Sequence, residues 1–253
     1  MSNKIFLAGV TALLLSGAVV AETEDSSSST WIGHYVGFTG GYSRGAADPT
    51  ANAKANGYFI TTDPGQLDPV ASHDIKAGNV SGTVFWGVNR QLDNILYGVE
   101  IDLYLTDYNE PYRSGNITYL TQPAHTFEIN SRVKSNIALS LRPRLGYITG
   151  DYLFYLSLGP VLRHFEYNFK FTDTFASEYA DKSDEQWSLG WAAGLGFEQL
   201  LKGAWSLKVE YLYSSYDDIV DMESSLRTVP ADGFKHSLEF KEQSFRVGFY
   251  RRF

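Results

Sequence analysis

The chain has no cysteine, only 2 methionines and 8 prolines in 253 residues, and fewer bases than acids. Lack of cysteine excludes disulfide staples, a thiol nucleophile, Cys-ligated zinc and a lipid-bearing N-terminal Cys. The 21 Lys and Arg against 29 Asp and Glu give a net charge of −8, so no nucleic-acid partner is expected, because phosphates need a basic surface. Beyond Ala21 no window approaches about 18 uninterrupted apolar residues, so no transmembrane helix is expected. What is abundant is glycine, at 23, with 17 Tyr and 16 Phe, a load typical of sheet proteins rather than helix bundles. The length allows one mid-sized domain or at most two.

The N-terminus has the form of a signal peptide. Lys4 is the only early charge, Ile5 to Val20 is apolar, and Val19-Val20-Ala21 supplies small residues where a signal peptidase reads. The apolar run is shorter than the about 20 residues of a membrane span. Residues 1–21 are therefore expected to be removed, leaving 22–32 as a polar leader outside the cytoplasm.

After the leader the dominant pattern has period two. Trp205, Leu207, Val209, Tyr211 and Tyr213 oppose Ser206, Lys208, Glu210, Leu212 and Ser214. Tyr97, Val99, Ile101, Leu103 and Leu105 oppose Gly98, Glu100, Asp102 and Tyr104. Leu139, Leu141, Pro143, Leu145 and Tyr147 oppose Ser140, Arg142, Arg144 and Gly146, and the segments 188–198 and 244–253 alternate in the same way. These are strands with one apolar face. In a soluble sandwich the exposed face would carry scattered Lys, Glu and Thr. Here the polar face is rich in Gly, which suits a cramped interior, while the other is continuous Leu, Val, Phe, Tyr and Trp. The pattern predicts an outward apolar band with aromatic girdles around a narrow polar lumen.

Spacing predicts eight strands, near 33–43, 78–89, 95–105, 127–148, 152–169, 187–200, 204–217 and 239–253. Long connections at 44–77, 106–126, 170–186 and 218–238 alternate with tight turns at Asp93-Asn94, Gly150-Asp151 and Lys202-Gly203. Long loops on one rim and short turns on the other are the habit of outer-membrane barrels. The reading is an all-β, eight-stranded antiparallel transmembrane β-barrel over 33–253. An extra hairpin at Gly57 to Thr62 would make ten strands. The strands near 127–148 and 152–169 exceed the about 9 to 11 residues needed for a crossing and should project beyond the bilayer.

Several segments resemble a known family. They are Trp31-Ile32-Gly33-His34-Tyr35-Val36-Gly37 with Gly40-Gly41-Tyr42, Tyr97-Gly98-Val99-Glu100-Ile101-Asp102, and Leu141-Arg142-Pro143-Arg144-Leu145-Gly146-Tyr147. Gly190-Trp191-Ala192-Ala193-Gly194-Leu195-Gly196-Phe197-Glu198, Leu207-Lys208-Val209-Glu210-Tyr211-Leu212-Tyr213 and Phe245-Arg246-Val247-Gly248-Phe249-Tyr250-Arg251-Arg252-Phe253 complete the set. Together they look like the small OmpA-like outer-membrane β-barrel family of Gram-negative bacteria, the group with the Brucella and rhizobial 25 to 31 kDa surface antigens. The resemblance implies residence in the outer membrane, contact with its lipids and lipopolysaccharide, and a role as a structural surface antigen. Phe253 resembles the signal that the barrel-assembly machinery reads. Pro143 stands where a strand donor is expected, and the long loops match no known pattern.

Glu100, Asp102, Arg142, Arg144, Glu198, Lys208, Glu210 and Arg246 share the inward parity, and Arg163 is expected to join them. An eight-stranded bore is just filled by side chains, so such charges must pair. An internal salt-bridge plug is the expected outcome. A small diffusion channel and a lipid-modifying enzyme of the outer membrane are the alternatives, with His236-Ser237 one residue short of a His-x-Ser arrangement. The five histidines show no metal spacing, and no cofactor, metal or catalytic residue is assigned. The acidic residues Asp217, Asp218, Asp221 and Glu223 read as a solvated loop. Trp31, Trp86, Trp187, Trp191 and Trp205 read as interface anchors. The four long loops are expected to meet the environment or a host surface.

Overall fold

The period-two runs form strands much longer than a membrane requires. In the computed structural model, which describes residues 31–253, the order is β1 (Gly33–Lys54), α1 (Pro64–Ala71), β2 (Ile75–Leu92), β3 (Ile95–Arg113), the two-residue β4 (Ile117–Thr118) and β5 (Thr126–Thr149). It continues with β6 (Tyr152–Asp173), β7 (Tyr179–Leu200), β8 (Trp205–Ser225) and β9 (Gly233–Arg252). Residues 31–253 are one of two compact units in the chain. The expected signal peptide 1–21, and the leader 22–32 except Trp31 and Ile32, lie outside the described residues.

Every neighbouring pair is antiparallel, in the order β3-β2-β1-β9-β8-β7-β6-β5, and β3 pairs with β5 to close the ring. Closure removes sheet edges, which hydrocarbon would not tolerate. Tight turns join β2 to β3, β5 to β6 and β7 to β8, with Asp93, Gly150 and Gly203 at positive φ of 54°, 58° and 72°. At the other rim the ring is incomplete. Pairing of β7 with β8 stops at Trp191↔Ser215, so the upper part of β7 pairs only with β6. That open edge carries Asp181, Lys182, Asp184 and Glu185, whose charges discourage pairing with another chain.

The strand count holds, and two other expectations are corrected. The connections 44–77, 106–126, 170–186 and 218–238 are in good part strand, and the gaps between the long strands are only 55–74, 114–125, 174–178 and 226–232. Gly57 to Thr62 forms no hairpin, and the same connection instead holds α1, so the eight long strands expected are found and the ten-strand alternative is not. Trp31 is not an interface anchor, because it is buried against Leu96, Ile148, Leu153 and Tyr155. The other four Trp residues are exposed on the outer face.

The outer face changes character at one level around the ring. On β3 it reads Ile95, Tyr97, Val99, Ile101, Leu103 and Leu105, then Asp107 and Asn109. On β6 the run Tyr152, Phe154, Leu156, Leu158 and Leu162 gives way to His164 and Glu166, and on β9 Phe249, Val247 and Phe245 give way to Gln243, Lys241 and Glu239. The bands at 95–105 and 152–162 match the about 9 to 11 residues of a tilted crossing strand. Register shifts at Leu105/Tyr108, Lys134/Ala138 and Tyr216/Val220 fall at this boundary. Above it each strand continues into water as the wall of the same barrel.

The interior changes at the same level, with the opposite sign. Within the band it is polar. Above it the core contains Tyr108, Phe165, Phe240, Tyr167, Phe169, Phe171, Phe234 and Leu238. A wall facing water needs an oily interior, and a wall facing lipid can enclose a polar one.

Candidate functional site

The polar tier is built by alternation. Glu100 and Asp102 come from β3, Arg142 and Arg144 from β5, Glu198 from β7, Lys208 and Glu210 from β8, and Arg246 from β9. All eight are buried. Arg142 reaches Asp102 at 2.7 Å, Glu210 at 3.0 Å and Glu100 at 3.1 Å. Arg144 holds Glu198 with both arms, at 2.9 and 2.8 Å, and touches Glu100 at 3.3 Å. Lys208 binds both oxygens of Glu100, and Arg246 sits 3.8 Å from both Asp102 and Glu210. Four cations meet four anions, so the tier has no formal net charge. That matters inside a membrane, where an uncompensated charge would be strongly unfavourable.

Neutral donors missed by the sequence reading fill the remaining acceptor positions. Tyr35 donates to Glu100 at 2.9 Å, Tyr155 to Glu210 at 3.0 Å, and Tyr250 to Glu198 at 2.8 Å. Ser140 donates to Asp102, and Ser157 accepts from Arg142 at 3.1 Å. Lys208 also lies 4.3 Å from the centre of the Phe85 ring, and Arg144 4.3 Å from that of Tyr155, both within cation–π reach.

Arg163 does not join this tier. It stands higher on β6, pairs with Glu242 at 3.1 Å and Ser135 at 2.6 Å, and lies 4.6 Å from the Phe240 ring centre. Glu242 was legible, since it shares parity with Ser244 and Arg246. The void lined by Asp102, Arg246 and Arg163 measures about 10 Å³, room for one water at most. Above this second ion pair the aromatic tier fills the barrel.

His236 points inward and Ser237 outward, so they cannot act as base and nucleophile. His236 instead contacts Ser224 at 2.8 Å, packed against Phe169 and Phe234. Among the described residues no group of three or more His, Asp or Glu could hold a metal ion. Asp221 pairs with Lys235 on the adjacent β9, and Glu223 with Lys54 on β1, one strand further round. Phe253 follows β9, with its N–H on the His34 carbonyl at 2.9 Å.

A closed antiparallel barrel with an outward apolar band, aromatic residues at its margins and a charge-neutral bore defines an integral β-barrel protein of the bacterial outer membrane. In sequence the chain is similar to the 31 kDa outer-membrane immunogenic protein of Brucella melitensis biotype 1, at 29% identity over 242 residues, covering 88% of this chain and 92% of the relative. It is likewise similar to the 25 kDa outer-membrane immunogenic protein of Brucella ovis, at 28% over 205 residues, covering 81% and 79%. These homologies run along most of both chains, in agreement with the kinship read from the motifs. No family model matches. Among solved structures, the outer-membrane protease OmpT from Escherichia coli aligns with a TM-score of 0.49 at 8% identity, covering 87% of this chain and 97% of that one. Neisserial surface protein A aligns at 0.34 and 15% identity, with coverage of 87% and 97%.

Proposed function

We propose that this protein is a sealed, non-enzymatic barrel of the outer membrane, which holds its shape through the charged tier and presents its projecting end as a surface antigen. One observation carries the reading: the bore at membrane level is filled by eight mutually paired, buried charges with tyrosines and serines between them. An ion entering would have to break contacts of 2.7 to 3.3 Å that compensate one another in a low-dielectric setting. The aromatic tier above adds a second barrier. The names of the Brucella relatives support the antigen role, and the charged outer wall of the projecting barrel gives it a large hydrophilic surface to present.

The test is conductance of the refolded chain in a planar bilayer, run beside a gel assay for heat-dependent mobility that reports folded barrel. Silence from folded protein is expected. Discrete steps that change when Arg142 or Glu210 is neutralised would make the bore a pathway and overturn the reading.

A further inference from the structure

The projecting end carries a pocket that the sealed bore does not explain. It measures about 250 Å³ and opens among the caps of the barrel, lined by Tyr58, Phe59, Tyr119 and Phe175 with the carboxylates of Asp63 and Asp173. Among the described residues no Lys, Arg or His lines it.

The two acids are unlike those of the membrane tier. Asp63 and Asp173 are only 6% and 8% exposed, yet among the described residues neither has a cation within 4.0 Å, whereas each of the four acids below is paired. Their partners are neutral. Asp63 accepts from Thr121 at 2.8 Å and from the Ile60 N–H at 2.9 Å. Asp173 accepts from Tyr58 at 2.6 Å, Tyr119 at 3.2 Å and the Glu178 N–H at 3.2 Å. Burial, with the Asp173 carboxylate beside them, pushes both phenols above their ordinary range, so they remain protonated donors. A third buried acid, Asp232, accepts from the N–H groups of Asn56, Tyr58 and Phe59 behind the pocket, and it too has no cation partner among the described residues. Hydrogen bonds of this kind hold a carboxylate in place but leave its charge uncompensated.

The rings complete the pattern. Tyr58 meets Phe59 edge to face at 5.4 Å and Phe175 edge to face at 5.9 Å. Phe175 is half exposed at the rim. Perpendicular rings around uncompensated carboxylates form a box that attracts positive charge, and ring faces suit a large, weakly hydrated cation better than a metal ion. Among the described residues the acids do not converge as metal ligands.

We propose that this pocket binds a small organic ammonium ion, its charge facing Asp63 and Asp173 and its alkyl groups against Tyr58, Tyr119 and Phe175. The site is at the open end, so binding does not depend on whether the bore conducts. The full chain, folded in a maltoside detergent free of choline headgroups, is titrated with choline and with dimethylbutanol, its uncharged carbon isostere, with binding read by ligand-observed NMR. Saturable choline binding is expected, with the isostere at least about tenfold weaker. Phe175→Ala and Asp63→Asn should each weaken choline by about tenfold while the heat-dependent gel shift of the folded barrel is retained. Equal binding of choline and isostere, no saturable binding, or choline affinity unchanged in both variants would overturn the proposal. So would displacement of choline by magnesium in the Phe175→Ala and Asp63→Asn variants as readily as in the parent chain, which would mark the signal as non-specific charge binding.

Discussion

Arg142 shows how much of the barrel can hang on a single side chain. It reaches three acids and two serines from the middle of the bore, while Arg144 and Lys208 in the same tier are engaged with Glu198 and Glu100. Arg142→Gln would leave Asp102 and Glu210 with no cation closer than the 3.8 Å contacts of Arg246 and Lys208, beside their hydrogen bonds from Ser140 and Tyr155. Breaking a buried pair while leaving the opposite charge in place costs about 3 to 5 kcal/mol. Glu210→Gln is milder, because Arg142 keeps Asp102 and Glu100. Thermal midpoints from the heat-dependent gel shift should therefore fall in both variants, and further in Arg142→Gln. Unchanged midpoints in both would show that the tier does not hold the barrel together.

At the level of whole strands, glycine and tyrosine work as cross-strand pairs. Tyr35 on β1 faces Gly87 on β2, and Tyr155 on β6 faces Gly196 on β7. In each pair a Cβ on the glycine would meet the tyrosine ring, so the ring lies over bare backbone and its hydroxyl can reach Glu100 or Glu210. Gly196→Val should push Tyr155 away from Glu210 and lower the thermal midpoint by the equivalent of about 1 to 3 kcal/mol. Tyr155→Phe removes the same hydrogen bond without the clash and should cost about 1 kcal/mol. If the two variants melt together, the close approach of ring and backbone is unimportant. The strands inside the band were legible because lipid demands a continuous apolar face there, and the inward charges followed by parity. Above the band the signal fails for definite reasons. An extra residue in β5 at the Lys134/Ala138 shift moves the inward positions from Ser131, Val133 and Ser135 to Ala138, Ser140 and Arg142, so a single parity cannot describe both halves. The upper part of β1, with Gly45, Ala46, Ala47, Pro49 and Ala51, reads as a turn-rich loop. Its small inward residues in fact leave room for Leu67 and Ala71 of α1 to pack in the barrel mouth. The aromatic pocket could not be read at all, since Tyr58 and Tyr119 come from two separate connections and Asp173 from the end of β6, and only the fold brings them together.

For the molecule as a whole, lipid and water impose opposite arrangements on one continuous wall. The lower half is apolar outside and charged within, the upper half is charged outside and aromatic within, and the bulges sit at the change. The projecting end is thus a wall of paired strands, interrupted above Ser81↔Thr106 and Trp191↔Ser215 and capped by α1 and the 55–63 segment, rather than four free loops. Protease access separates these two pictures. Arg44, Lys170 and Lys235 lie on the outer face above the band, each in a strand paired on both sides. Arg227 lies in the 226–232 connection with its side chain half exposed. Proteolysis of a folded chain requires local opening, which two flanking strands and a packed core resist. Trypsin acting on the folded protein in membranes should therefore cut after Arg227 long before Arg44, Lys170 or Lys235, as peptide mass spectrometry over a time course would record. Cleavage at Lys170 or Arg44 as fast as at Arg227 would mean that the wall dissolves into loops above the bilayer, and the aromatic tier would then lose its enclosure.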